Sequence, residues 1–275
     1  MKPCLYVRFF AFLCLSAVVA HAIPLASAKV LVVEGTASYG LPGAEDTPLA
    51  KDTIISEGVS IITGNTGVVH LIFSNGAGLT IEESSNLVFL ELEQKPFWKS
   101  NPEEYPEEEV SKSTTVLELK YGNVKGHMKG LRDDSEFRIK TQFGDALVAG
   151  NLFFLELYFD PFRNEFVFNV QNINGLVDLI TKFSGSVKFG RNGMAIKSYD
   201  SEADILQVVR IPPTQTFSIR KSRFSPGFRN SVQEFPKDAK SRLILGLDTL
   251  EPFPADQRVQ DVSVVSPNGT EGTVQ

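Results

Sequence analysis

From Val30 to about Ile219 the chain runs in short alternating or wholly apolar stretches, broken by Gly, Asn, Ser and Asp. An apolar period of two is the repeat of a strand, whose successive side chains point to opposite faces, and breaks of this composition are turns. Leu117, Leu119 and Tyr121 alternate with Glu118 and Lys120, and Phe137 and Ile139 with Arg138 and Lys140. Those strands have one wet face. Val68 to Phe73 is apolar except at His70, and Leu152 to Leu155 is apolar throughout, which predicts strands covered on both faces near the centre of a sheet. Candidate helices are few, the best being Lys237 to Leu247, interrupted by Gly246. The expected class is all-β, a domain of many short strands.

The ends are different in kind. Lys2 and Arg8 precede an uncharged run from Phe9 to Ala20, followed by Ala20-His21-Ala22 and Ala26-Ser27-Ala28. Basic, apolar and small-residue segments in that order predict a secretory signal over residues 1–28, cleaved after Ala22 or Ala28. His21 and Pro24 interrupt the apolar stretch before it reaches the roughly 20 residues of a spanning helix. No membrane span is expected once the signal is gone. Residues 29–219 form the β domain, and residues 220–275, with Pro226, Pro236, Pro252, Pro254, Pro267 and a tail rich in Asn, Gly and Thr, are expected to be a peripheral, partly disordered extension.

Export would remove Cys4, Cys14 and His21, leaving no thiol and only His70 and His127. Disulfides and cysteine metal sites are thereby excluded from the mature chain. The full chain carries a net charge of -6, and loss of Lys2 and Arg8 makes it more acidic still. Nucleic acid, which demands a basic footprint, is a poor partner. An exported chain of this size without cysteine points to the bacterial envelope, in the periplasm or outside the cell.

Catalytic chemistry finds little material. Neither His70 nor His127 has a carboxylate or cysteine at metal-ligand spacing, so no metal and no cofactor are expected. Glu82-Glu83 and Asp133-Asp134 are adjacent pairs, which on a strand point to opposite faces and in a turn face water. The chain lacks G-x-S-x-G, P-loop and H-E-x-x-H patterns. A non-enzyme is expected. The 21 Phe against 1 Trp and 6 Tyr signal core rather than sugar platforms. Trp98 and Tyr105 stand apart, because they border an acidic loop over residues 96–112 that holds Glu103, Glu104, Glu107, Glu108 and Glu109. A protein partner or a glycan could stack there. Phe217, Arg220, Lys221, Arg223, Phe224, Phe228 and Arg229 interleave bases with aromatics, a pattern expected to be a linker whose charges pair with nearby carboxylates.

Glycines punctuate the strands at Gly58, Gly67 and Gly76, and at Gly122, Gly126 and Gly130, all expected in turns. The stretch from Gly58 through Thr63-Gly64-Asn65-Thr66-Gly67, Val68 to Phe73 and Ser74-Asn75-Gly76, on to Leu79-Thr80-Ile81 and Ser85-Asn86-Leu87, resembles the FecR-type domain. That family is named for the periplasmic part of the ferric-dicitrate regulator FecR. Leu119 to Val124 and Ser135 to Thr141 fit it as well, although Thr141-Gln142 and Gly150-Asn151 replace the family's threonine-proline and glycine-threonine; the resemblance spans roughly Val30 to Tyr158. It implies a twisted, solenoid-like or stacked-sheet β architecture, a structural turn motif of Thr63, Gly64, Gly67, Asn75, Gly76 and Gly122, and a non-catalytic module that binds a partner or ligand in signalling or scaffolding; glycine at 64, 67 and 76 allows the positive φ expected of tight turns there. FecR regulators carry an anti-sigma segment and a transmembrane helix where this chain has its signal, so direct contact with a sigma factor is not expected. The alternative is a carbohydrate-binding module using Trp98, Glu103, Glu104 and Tyr105, or a polysaccharide-acting solenoid enzyme.

Overall fold

The structure, a computed structural model, describes residues 26–97, 108–128, 130–149 and 152–222. The signal up to residue 25, Trp98, Glu103, Glu104, Tyr105, Glu107 and the candidate helix Lys237 to Leu247 lie outside the described residues.

The chain begins with β1 (Ala28–Glu34), β2 (Ala37–Gly40), β3 (Thr47–Pro48) and β4 (Ile54–Ile55). It continues through β5 (Ser60–Thr63), β6 (Val68–Phe73), β7 (Gly78–Ile81), β8 (Asn86–Gln94) and the long β9 (Ser113–His127). After it come β10 (Glu136–Thr141), β11 (Gly144–Val148), β12 (Leu152–Asp160) and β13 (Glu165–Asn174). The last strands are β14 (Val177–Thr181), β15 (Met194–Ser198), β16 (Gln207–Ile211) and β17 (Gln215–Ser222). No helix occurs among the described residues, and the all-β class stands.

The pairings resolve into two sheets. Sheet A runs β4-β1-β6-β7-β9-β12-β13-β17-β15. Sheet B runs β3-β2-β5-β8-β9-β10-β11-β14-β16. β9 belongs to both: Ser113 to Tyr121 pair with β8 in sheet B, and Gly122 to His127 with β12 in sheet A. It is the beam that joins the layers. Two pairings are parallel, β9 with β10 and β15 with β17. In each the chain passes through the other sheet and returns beside itself, one solenoid-like coil. The remaining pairings are antiparallel, as in stacked sheets.

The core is the seam between the layers, and phenylalanine fills it. Phe89 of sheet B, Phe73 of sheet A, Phe137 of sheet B and Phe153 of sheet A interleave in a row, with centroids 6.2, 5.5 and 6.5 Å apart. Phe143, Phe159 and Phe166 form a second group, with spacings of 5.8 and 5.2 Å, and Phe183 packs on Phe217 at 5.7 Å. Edge-to-face contacts such as the 86° Phe73–Phe137 pair add to the burial of these large side chains.

Three expectations need correction. In β6 and β12, burial alternates: Val69, Leu71, Phe73, Phe153 and Leu155 are buried, whereas Val68, His70, Ile72 and Phe154 are half-buried and Leu152 is exposed. Among the described residues no further layer covers the outer face of sheet A there, so these strands are central within their sheet but wet on one side. Gly122 and Gly126 lie inside β9 rather than in turns. The boundary drawn after residue 219 falls inside β17, which pairs with β13 as far as Ser222.

Candidate functional site

The motif residues come together, and they hold the chain. Thr63 is buried; its hydroxyl bonds to the Glu82 carbonyl at 2.6 Å and accepts from the Ser85 N–H at 2.9 Å. The Ser85 hydroxyl in turn accepts from the Asn123 N–H at 2.8 Å. This ties β5 and the β7–β8 turn to the point where β9 changes sheets. Gly122 has a φ of +92°, and a Cβ there would lie 2.2 Å from the Ser85 Oγ. Gly64 and Gly67 are not at positive φ; they are needed because Thr36 passes so closely that a Cβ would sit 2.1 Å from its Oγ1 and 2.0 Å from its carbonyl oxygen, respectively. Of the three glycines expected at positive φ, Gly76 alone has it, at +88°.

Asn75 opens a second buried chain. Its Oδ1 accepts from the Ala77 N–H and its Nδ2 donates to the Ser113 Oγ, both at 3.0 Å. Ser113 donates onward to the Glu109 carboxylate, which also accepts the Arg132 N–H at 2.8 Å. The Glu109 N–H donates to the Gly130 carbonyl at 3.0 Å. Glu109, one of the acids of the loop, is buried and pins the loop's return to the segment before β10. The loop's base is also closed by Lys95 N–H donating to the Lys112 carbonyl at 2.9 Å. A crevice of about 520 Å³ lined by Leu92, Gln94, Lys95, Pro96, Lys112 and Thr114 lies beside that base.

The titratable candidates are dispersed. His70, on the outer face of sheet A, shares a 2.9 Å bond with the Thr80 hydroxyl, and His127 is exposed. Glu82 pairs with Lys125 at 2.5 Å. Asp134 pairs with Arg132 at 2.9 Å, and that hydrogen bond holds its carboxyl below the ordinary range. Among the described residues no three His, Cys, Asp or Glu side chains gather as a metal site. Of the basic-aromatic stretch, Phe217 is in the core, Arg220 reaches Glu165 at 3.8 Å, and Lys221 is buried with its ammonium 5.1 Å from the Tyr199 ring centroid. A linker was expected; these residues are strand.

What remains for a partner is an edge. At the end of the sandwich formed by the N-terminal strands the outer strands are β3 and β4, two residues each, one of them Pro48. Short strands and proline blunt an edge against pairing. At the opposite end the outer strands β15 and β16 have five residues each. Approaching β16 and along it, Ile205, Leu206 and Val208 are 74%, 57% and 65% exposed. Val208 stands across from half-buried Ile180 of β14, and Arg210 from Asp178, which it grips through Nε and Nη2 at 2.9 Å each. Among the described residues β16 pairs on one side alone, and a strand with one such open side and exposed apolar residues is built to accept another. Reading the sequence missed this site, because Gln207 to Ile211 is a short apolar and polar stretch like many others in the chain and only the sheet order makes it an edge.

Comparison with known proteins gives no family model and no curated relative that matches. Two crystal structures of a candidate anti-sigma factor from Parabacteroides distasonis ATCC 8503, at 1.65 and 2.50 Å resolution, are similar at 12% identity and a TM-score of 0.36. The match covers 58% of this chain and about half, 53%, of that one. A likeness this low assigns neither family nor activity.

Proposed function

We propose that this chain is an exported, non-catalytic, FecR-like β domain that binds a protein partner stoichiometrically in the bacterial envelope, by taking an extended segment of that partner against β16. The observation that carries the reading is the contrast between the two ends of the sandwich, one blunted by Pro48 and two-residue strands, the other long and apolar at Ile205, Leu206 and Val208. Strand addition draws affinity from main-chain hydrogen bonds and selectivity from alternate side chains. The resemblance around Thr63, Gly76 and Gly122 supports the family, and the segment before Lys29 supports export.

The test places a photo-crosslinking residue at Ile205 and, separately, at Leu41, which is also exposed, at 58%, but lies at the blunted end. In intact cells a discrete protein adduct from position 205 and none from 41 is the expected result. Equal adducts, or adducts from neither, would overturn the edge as the binding surface. N-terminal sequencing of the released protein should begin at Ile23 or Lys29.

A further inference from the structure

We infer that residues Val259 to Val265 of this same chain add to β16 as an antiparallel strand, occupying in cis the edge that a partner takes in the reading above, on which this inference rests. The chain leaves the sandwich at the right place. β17 ends at Ser222, the Tyr199 N–H donates to the Arg220 carbonyl at 2.7 Å, and Tyr199 begins the connection that carries Ile205 and Leu206 into β16. The exit and the start of the open edge are therefore neighbours. Residues 223–258 supply far more reach than that short distance requires, at roughly 3.3 Å per extended residue.

The segment suits the edge. Val259-Gln260-Asp261-Val262-Ser263-Val264-Val265 carries four β-branched valines in seven residues without Gly or Pro, bounded by Pro252 and Pro254 before it and by Pro267-Asn268-Gly269 after. Its one charge falls where the edge has a counter-charge. With Asp261 opposite Arg210, antiparallel pairing sets Val262 beside Val209, Ser263 beside Val208 and Val265 beside Leu206. Arg210, 68% exposed at its side chain, would then lie between Asp178 and Asp261, and the apolar flank at Leu206 would be covered. The blunted end offers neither a strand of this length nor a basic residue in its outermost strands. A tail held this way competes with a partner strand, so partner binding would require its displacement.

The test is a disulfide, made clean by serine at Cys4 and Cys14, which removes every native thiol. In this full-length chain Val208→Cys and Ser263→Cys are introduced together; cross-strand neighbours lie about 4.5–5.5 Å apart at Cα, within disulfide reach. Under mild oxidation in dilute solution the intramolecular bond should form at least about tenfold faster than in the Val208→Cys, Thr270→Cys control, which reports chance encounter of a tethered tail. Asp261→Arg should erase the advantage, and Arg210→Glu in the same chain should restore it. Equal rates for the two cysteine pairs would overturn the inference, as would a bond formed only between copies, which would give the edge to a second molecule. Either failure leaves the partner adduct at position 205 standing. Loss of that adduct while the 208–263 bond forms would instead remove the partner reading and keep the tail.

Discussion

Gly122 sits where β9 leaves one sheet and enters the other, and its φ of +92° and the 2.2 Å approach of the Ser85 Oγ leave no room for a side chain. Gly122→Ala should therefore destabilise by more than the roughly 1 kcal/mol on which point substitutions centre, measured by urea unfolding. Glu109 and Glu108 are adjacent in sequence and opposite in role. Glu109→Leu leaves the Ser113 hydroxyl and the Arg132 N–H without their buried acceptor and should cost about 1–3 kcal/mol. Glu108→Gln, on an exposed residue, should stay within about 0.5 kcal/mol. Equal costs would mean that Glu109 is not the latch. Tyr158 supplies a pH dependence: burial first, then the Glu156 and Asp160 carboxylates, raises its hydroxyl above the ordinary 10.0. The folded state keeps that proton longer than the unfolded chain does. Its contribution is complete below the ordinary value and is lost as pH rises through the folded one. Tyr158→Phe should flatten the alkaline fall in melting temperature, and an unchanged profile would show that another group sets it.

At the scale of elements, the strands were legible where alternation is strict. Phe137 and Ile139 are buried with Arg138 and Lys140 partly exposed, as their spacing predicts. Arg138 is held between Glu136 at 2.5 Å and Asp145 at 3.3 Å. The wholly apolar runs were misread. Val68, Ile72 and Leu152 sit on a face that water reaches, because β-branched and large apolar residues stabilise a strand through their in-sheet neighbours even without a covering layer. Glycine spacing misled for a related reason: Gly126 is in mid-strand because the Phe153 ring lies where its Cβ would be, at 2.1 Å, a contact between residues distant in sequence. Gly126→Ala should cost about 1–3 kcal/mol through overpacking, since Phe153 is itself packed against Phe137 and cannot swing away freely. The candidate site was the least legible part. The turn motif was visible as a motif, but its residues proved to hold β5, β8 and β9 together. The open edge depends on which strands end the sheets, and no local pattern records that.

The molecule as a whole is tied into one body by the strand that belongs to both sheets. Four strands flank β9 on each side in each sheet, so the N-terminal and C-terminal halves meet along its full length rather than at a linker. The buried residues form one apolar cluster that includes both Phe73, from β6, and Phe166, from β13. Neither half can open without stripping a partner from β9 and exposing the seam between the layers. Unfolding of the described region should therefore be a single cooperative transition. Phe73→Ala and Phe166→Ala, one in each half, should each lower its midpoint by an amount equivalent to about 3–5 kcal/mol, as loss of a fully buried phenylalanine does. The slope against urea should stay unchanged, because the same surface is exposed. The measurement is far-ultraviolet circular dichroism against urea for the two variants and the parent. Two transitions, one shifted by Phe73→Ala and the other by Phe166→Ala, would mean that β9 joins two domains that fold separately.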